Sequence, residues 1–182
     1  MTEEALTPRV LSFHSKRIQR GLLHRSDDRE TAVNVNATLS PDDLARACAD
    51  AMWKEDDASK GLGMTIVEIG PGRATLSMTV KPEMVNGQRI AHGGFIFTLA
   101  DSTFAFACNT HNERAVAAQC NVTFIRPGKL GDVLVASARE VSRSGRSGIY
   151  DVRVTANDVV IAEFRGHSRT IGGAWLPGTT VK

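Results

Sequence analysis

The stretch His92–Asn109, HGGFIFTLADSTFAFACN, constrains the fold more than any other part of this chain. It is apolar on almost every face at helical spacing. A helix without a solvated stripe has to be wrapped by other elements, not laid on a surface. One carboxylate, Asp101, stands in its middle. Burying a charge is costly unless it is paired or its pKa moves. An aspartate here is therefore a hydrogen-bonded structural group or a reacting one, and the hydroxyls near enough in sequence to pair with it are Thr98, Ser102 and Thr103. Two glycines, Gly93 and Gly94, open the segment. Glycine permits a tight entry turn. It also leaves helix N–H groups uncovered, where they and the helix dipole suit a developing oxyanion. An embedded carboxylate and an open helix end are the parts that acyl transfer needs.

Around this segment the chain changes its period. Ser40-Pro41-Asp42-Asp43 is a helix start, with a capping serine, proline at the first helical position and acids in the first turn. Leu44, Ala47, Cys48, Ala51 and Met52 recur at helical spacing, and Gly61 and Gly63 are expected to end the element. GMTIVEIGPGRATLSMTV reads as two strands about the turn Gly70-Pro71-Gly72-Arg73, and residues 81–89 as a loop with the turn pair Asn86-Gly87. After the apolar helix the period falls to two in AVAAQCNVTFI, DVLVASAREVS, SGIYDVRVTA and VVIAEFRGHSRTI. The short spacers between these four strands demand antiparallel neighbours. The result is an α+β chain in which a curved antiparallel β-sheet wraps a long central α-helix.

Composition narrows the function classes. The 182 residues suit one domain with an extension. Residues 1–39 read as a flexible N-terminal extension, 40–174 as the folded domain and 175–182 as a tail expected to fray. The basic run RVLSFHSKRIQRGLLHR has a second reading as a membrane-surface or targeting segment, which its short, weak apolar face disfavours. A net charge of +2 gives no reason to expect nucleic acid. No apolar run approaches the length of a membrane span, and MTEEALTPRVLSF lacks the pattern of a secretory signal. Cys48, Cys108 and Cys120 read as reduced thiols of a cytoplasmic protein. The histidines make no metal-ligand spacing, so neither metal nor cofactor is expected.

From Asn86 the chain reads N-G-x-x-x-A-H-G-G-x-x-F-x-L-A-D-x-x-x-A-x-A-x-N, followed by FIRPG at 124–128, GD at 131–132 and FRGHSRTIGG at 164–173. In this combination, over residues 41–173, it resembles the hotdog fold and, within it, the PaaI-type acyl-CoA thioesterases of phenylacetic acid degradation. The resemblance implies that Asp101 is the catalytic carboxylate, that the Gly93 backbone N–H stabilises the oxyanion, and that Asn86 and His92 are positioning residues. It implies hydrolysis of an acyl- or aryl-CoA, phenylacetyl-CoA or its ring-hydroxylated relatives, to the free acid and CoA. Whether Asp101 acts as nucleophile or general base stays open. Related thioesterases often carry a hydroxyl residue on the strand after the helix. Here that stretch is Ala117-Ala118-Gln119, with Gln119 the substitute candidate.

Coenzyme A carries phosphates that need cations at the surface end of a site. Arg126, Lys129, Arg143 and Arg146, in or beside strand-end turns, are the candidates, and Gly94 joins the substrate-binding set beside Gly93. Phe95, Phe97, Phe104 and Phe106 read mostly as core, with some free to line an aromatic acyl pocket. Two other functions suit the same fold. One is a dehydratase or hydratase acting on a hydroxyacyl thioester, with His92 as its principal group. The other is a non-catalytic acyl-CoA-binding regulator, for which residues 1–39 are too short to hold a DNA-binding module. Helix geometry adds an expectation about assembly. Gly93 and Asp101 are eight residues apart, roughly 12 Å along the axis at about 1.5 Å per residue. One thioester carbon cannot touch both. Two such helices, antiparallel across a two-fold axis, bring each Asp101 to the Gly93 end of the other. A homodimer or homotetramer is expected.

Overall fold

Residues 38–181 are described by the structure, a computed structural model. Strand β1 (Thr38–Leu39) leads into helix α1 (Pro41–Lys54). Ser40 caps α1, its hydroxyl accepting from the Asp43 N–H at 3.2 Å, and Leu44, Ala45, Cys48 and Ala49 form the buried stripe. The helix expected to reach Gly61 and Gly63 stops at Glu55 instead. The Asp56 carboxylate accepts from the Ser59 N–H at 2.9 Å and starts a second helix, α2 (Asp57–Leu62), which Gly63 ends at φ +76°. A side chain that offers the backbone a fresh cap competes with continuation of the helix.

The hairpin of β2 (Thr65–Gly70) and β3 (Arg73–Thr79) follows, then a single 3-10 turn at Pro82–Met84, then helix α3 (Gly93–Cys108). Four long strands come next: β4 (Ala115–Phe124), β5 (Val133–Ser144), β6 (Ser147–Ala156) and β7 (Val159–Thr170). The sheet order is β2-β3-β5-β6-β7-β4, and every neighbouring pair is antiparallel. Strands β2 and β4 are its edges, so β4 pairs with β7 and not with β5, the neighbour that the short spacer after β4 leads one to expect.

Helix α3 packs on this sheet. Its Leu99, Ala100, Thr103, Phe104 and Ala107 are buried in one core with Leu76, Met78, Leu134, Ala136, Val152 and Val154 of the strands. The Phe104 ring centre lies 5.5 Å from that of Tyr150 and 5.8 Å from that of Phe164. Gly166 makes the room, since a Cβ there would come within 2.9 Å of the Phe104 ring. Burying one such ring stabilises the fold by about 2–3 kcal/mol. The wrapping is incomplete, however. Phe97, Asp101 and Ala105, one helical turn apart on α3, are only partly covered. Apolar patterning all round the helix thus corresponds to one stripe that the described residues do not close.

The last segment, expected to fray, is tied down. The Trp175 indole N–H donates to Asn109 Oδ1 at 2.7 Å, and the Arg114 guanidinium lies 4.4 Å from the Trp175 ring centre. Asn112 holds the Leu176 backbone from both sides, at 2.8 and 3.0 Å. Beyond it, β8 (Thr180–Val181) pairs in parallel with β1. The flexible extension expected over residues 1–39 lies, for residues 1–37, outside the described residues; Thr38 and Leu39 belong to the folded part. No helix among the described residues is long and apolar enough to cross a membrane.

Candidate active site

The entry to α3 is held by backbone bonds. The Ala91 N–H donates to Gly128 O and the His92 N–H to Met84 O, both at 2.9 Å. Asn86 shapes the loop before them. Its Oδ1 accepts from the Gln88 N–H at 2.9 Å and the Ile90 N–H at 3.3 Å, in the local bonding typical of an asparagine turn. Its carbonyl oxygen is therefore committed, and its NH2 is the end left for a ligand.

His92 is the N-cap of α3, and its Nδ1 accepts from the Gly94 N–H at 2.9 Å. The ring proton then sits on Nε2. This corrects the expectation that both glycine N–H groups stand uncovered: Gly94 is capped by His92. The Phe95 and Ile96 N–H groups both turn to His92 O, at 3.0 and 3.5 Å. Among the described residues the Gly93 N–H has no acceptor, and at a helix start it is the donor best placed for an anionic oxygen.

A cavity of about 400 Å³ opens beside it, lined by Asn86, Ile90, Gly93, Ile96, Phe124 and Arg126, among others. Phe124, 50% exposed, forms one wall so closely that a Cβ on Gly93 would come within 2.9 Å of its ring. None of the four helix phenylalanines lines this cavity. Phe104 and Phe106 are core, Phe97 packs on Phe164, and Phe95 lies edge-on to His92.

Asp101 sits half-buried in the middle of α3, and burial pushes its pKa up. The hydroxyls expected to pair with it are all used elsewhere. Thr98 donates to Gly94 O at 2.8 Å, Thr103 to Leu99 O at 2.7 Å, and Ser102 shares a bond with Ser59 at 3.0 Å. Its partner is instead the Cys120 thiol on β4, at 3.6 Å from Oδ1, and this bond partly offsets the effect of burial.

The candidate cations separate. Arg126 and Lys129 lie in the loop after β4, at the Gly93 end of α3, with Arg126 donating to Val160 O at 3.0 Å. Arg143 and Arg146 lie in the hairpin of β5 and β6, toward the other end of the helix. Both are occupied, Arg143 with Glu113 at 3.3 Å and Arg146 with Thr170 O at 2.8 Å. Gln119 is also set apart, because it pairs with His167 on the outward-facing side of β4. Among the described residues, no three His, Cys, Asp or Glu side chains are grouped to hold a metal.

The Thioesterase superfamily profile matches residues 88–162 of this chain, from the loop before α3 to β7. The chain is 42% identical over 126 residues to the acyl-coenzyme A thioesterase PaaI of Escherichia coli, an alignment that spans 69% of this chain and 90% of that protein. The chain belongs to the thioesterase superfamily. Among solved structures, the E. coli PaaI protein of the phenylacetic acid degradation operon superposes with a TM-score of 0.73 at 38% identity, covering 79% of this chain and all of that one. A Streptococcus mutans protein, smu.793, whose structure holds acetyl-CoA, superposes at 0.59 with 27% identity, covering 61% of this chain and 90% of that one. The fold of this thioesterase is the hotdog, its central helix and antiparallel sheet arranged as the resemblance implied, and its activity is thioester hydrolysis.

Two residues of this thioesterase escaped the reading of its sequence. Phe124 stands within the phrase FIRPG but carried no role there. Cys120 looked like one more core thiol. Strand alternation alone does not place it, because the register of β4 on β7 slips between Ala117 and Gln119. Ala118 is extra, and the slip resets which residues face the helix. Before it Ala117 lies opposite buried Ser168; after it Cys120 and Val122 lie opposite buried Gly166 and Phe164.

Proposed function

We propose that this thioesterase hydrolyses an aryl- or acyl-CoA, with phenylacetyl-CoA or its ring-hydroxylated forms preferred, to the free acid and CoA in phenylacetate catabolism. The likeness to PaaI supports the substrate class, and the acetyl-CoA held by the S. mutans protein supports the coenzyme. The observation that carries the reading is a pair of groups on α3: a half-buried carboxylate at Asp101, bonded through Oδ1 to the Cys120 thiol, and a free donor at Gly93.

Two routes use them. As nucleophile, Asp101 attacks the carbonyl carbon, the C–S bond breaks, the CoA thiolate takes a proton from water, and water then hydrolyses the mixed anhydride. As general base, Asp101 takes a proton from a water that adds to the same carbon, and passes it to the departing thiolate. In both the oxyanion rests on the Gly93 N–H. His92 serves as the helix cap, with Nδ1 engaged by Gly94, which argues against its acting as the base of a dehydratase. Asn86 and the cavity wall at Phe124 receive the acyl group, and the charges of Arg126 and Lys129 at the same helix end suit the CoA phosphates.

The site is composite. Asp101 and the Gly93 N–H are roughly 12 Å apart along one helix, so the functional unit is a homodimer with the two α3 helices antiparallel; a homotetramer would contain it twice. Strand β4 supports this. Seven of its ten residues are exposed, yet it carries no charged side chain and no proline, the usual guards of a free edge. The other edge, β2, has a bulge and Glu68. Pairing β4 with its copy would also cover the open stripe at Phe97, Asp101 and Ala105. The free thiols of Cys48, Cys108 and Cys120 suit a reducing compartment, the cytoplasm.

The test is thiol release from a panel of aromatic and aliphatic CoA thioesters, with Asp101→Asn alongside. Turnover of phenylacetyl-CoA is expected to exceed that of aliphatic thioesters and to fall by roughly two to four orders of magnitude in the folded variant. Wild-type turnover in D101N would sink the assignment.

A further inference from the structure

We infer that Cys120 positions the Asp101 carboxylate, its thiol proton occupying Oδ1 so that Oδ2 is the oxygen presented to the thioester or to the attacking water. The inference rests on the catalytic role proposed for Asp101.

Within the described chain the Cys120 bond, 3.6 Å from Sγ to Oδ1, is the hydrogen bond made to this carboxylate: Thr98 and Thr103 donate to backbone carbonyls, and the Ser102 hydroxyl is bonded to that of Ser59. The donor comes from a different element, β4, and reaches the helix because the slip at Ala118 places Cys120 on the inward side of the strand. A bond across two elements fixes a carboxylate rotor that a half-open stripe of α3 would otherwise leave free to turn. A thiol is a suitable donor here. Burial and the nearby Asp101 charge push the Cys120 pKa up to about 11, so the sulfur keeps its proton throughout the range in which Asp101 ionises. Cys108, on the same helix, is pushed up to about 12 chiefly by burial and in smaller part by the Asp101 charge, and it donates to Ala105 O instead. Among the described residues no cation is paired with Asp101. The Cys120 proton is thus the local group that favours the ionised carboxylate against the burial that opposes it.

Hydrolysis of phenylacetyl-CoA by wild type, Cys120→Ala and Cys120→Ser is followed from pH 4 to 9, with thermal melting and oligomeric state checked for each. Losing the donor should raise the Asp101 pKa further. The acid limb of kcat/KM in C120A should move up by roughly 0.5–1 pH unit, the scale of one weak hydrogen bond to a charged group. Turnover at neutral pH should drop about three- to tenfold through the loosened carboxylate, with KM little changed. C120S, which retains a donor, should bring the limb back toward wild type. A C120A limb that coincides with wild type overturns the inference. So does an equal displacement in C120A and C120S, since packing rather than the donor would then be responsible. D101N separates the two levels of argument. If D101N is inactive while C120A keeps the wild-type limb, only the role of Cys120 falls; if D101N itself turns over normally, the catalytic reading of Asp101 falls with it.

Discussion

A composite site makes a quantitative demand on mixed dimers. Consider chains carrying Asp101→Asn and chains carrying Gly93→Leu. An added Cβ at Gly93 would meet the Phe124 ring at 2.9 Å, so a leucine there pushes into the cavity of about 400 Å³ and blocks the donor. Each variant alone is expected to be inactive, because every site in its homodimer carries the defect. In a mixed dimer one site brings the two substitutions together and is doubly impaired. The other takes the native Asp101 of one chain and the native Gly93 of the other, and is intact. Random exchange of equal amounts makes about half of the dimers mixed, each with one good site of two, so activity per chain should recover to roughly a quarter of wild type. Against a parental background lower by about two orders of magnitude or more, that recovery is unmistakable. The assay is thiol release before and after exchange, with two affinity tags to measure the mixed fraction. If mixed dimers form in the expected share and activity stays at the parental mean, Asp101 and Gly93 do not meet across the interface, and the argument from helix length is wrong.

Two further outcomes follow from local contacts. Reversing Arg126 and Lys129 to Glu should raise KM for CoA thioesters by about tenfold with little change in kcat, and should have far less effect on a pantetheine thioester without nucleotide phosphates; equal losses on both substrates would remove these cations from the phosphate contact. Asn109, 3% exposed, joins the Ala105 carbonyl, both backbone groups of Ala115 and the Trp175 indole. Asn109→Ala strands several of these and should lower unfolding free energy by about 2–4 kcal/mol, read as a reduced midpoint in urea; an unchanged midpoint would show that the C-terminal segment is not anchored there.

Some of this was legible in the chain because it is local. The apolar run of α3, the capping sequence at Ser40, the turn pairs and the period-two strands each act within a few residues, and they led to the order of the main elements, though not to β1, α2 or β8. Asp101 stood out because its surroundings make a charge expensive, and the gap from Gly93 to Asp101 follows from helix rise alone. Where side chains compete for the same backbone, local reading lost its hold. Asp56 started a new helix inside an expected one, and His92 covered the N–H of Gly94. Other features depended on contacts between distant parts of the chain. Register decided that Cys120, and not one of the expected helix hydroxyls, meets Asp101, and that Gln119 lies on the other side of β4, since one extra residue there reverses which side chains face inward. Strand ends decided that Arg126 lines the cavity beside Gly93 while, within one chain, Arg143 and Arg146 lie toward the other end of α3. The tail was held by Asn109, Asn112 and Arg114, which lie far back along the chain. Periodicity and turn chemistry are properties of neighbours along the chain, so what they control could be read before any fold was known. Pairing, register and the sharing of hydrogen-bond partners arise only when remote elements pack, and they became visible only in three dimensions.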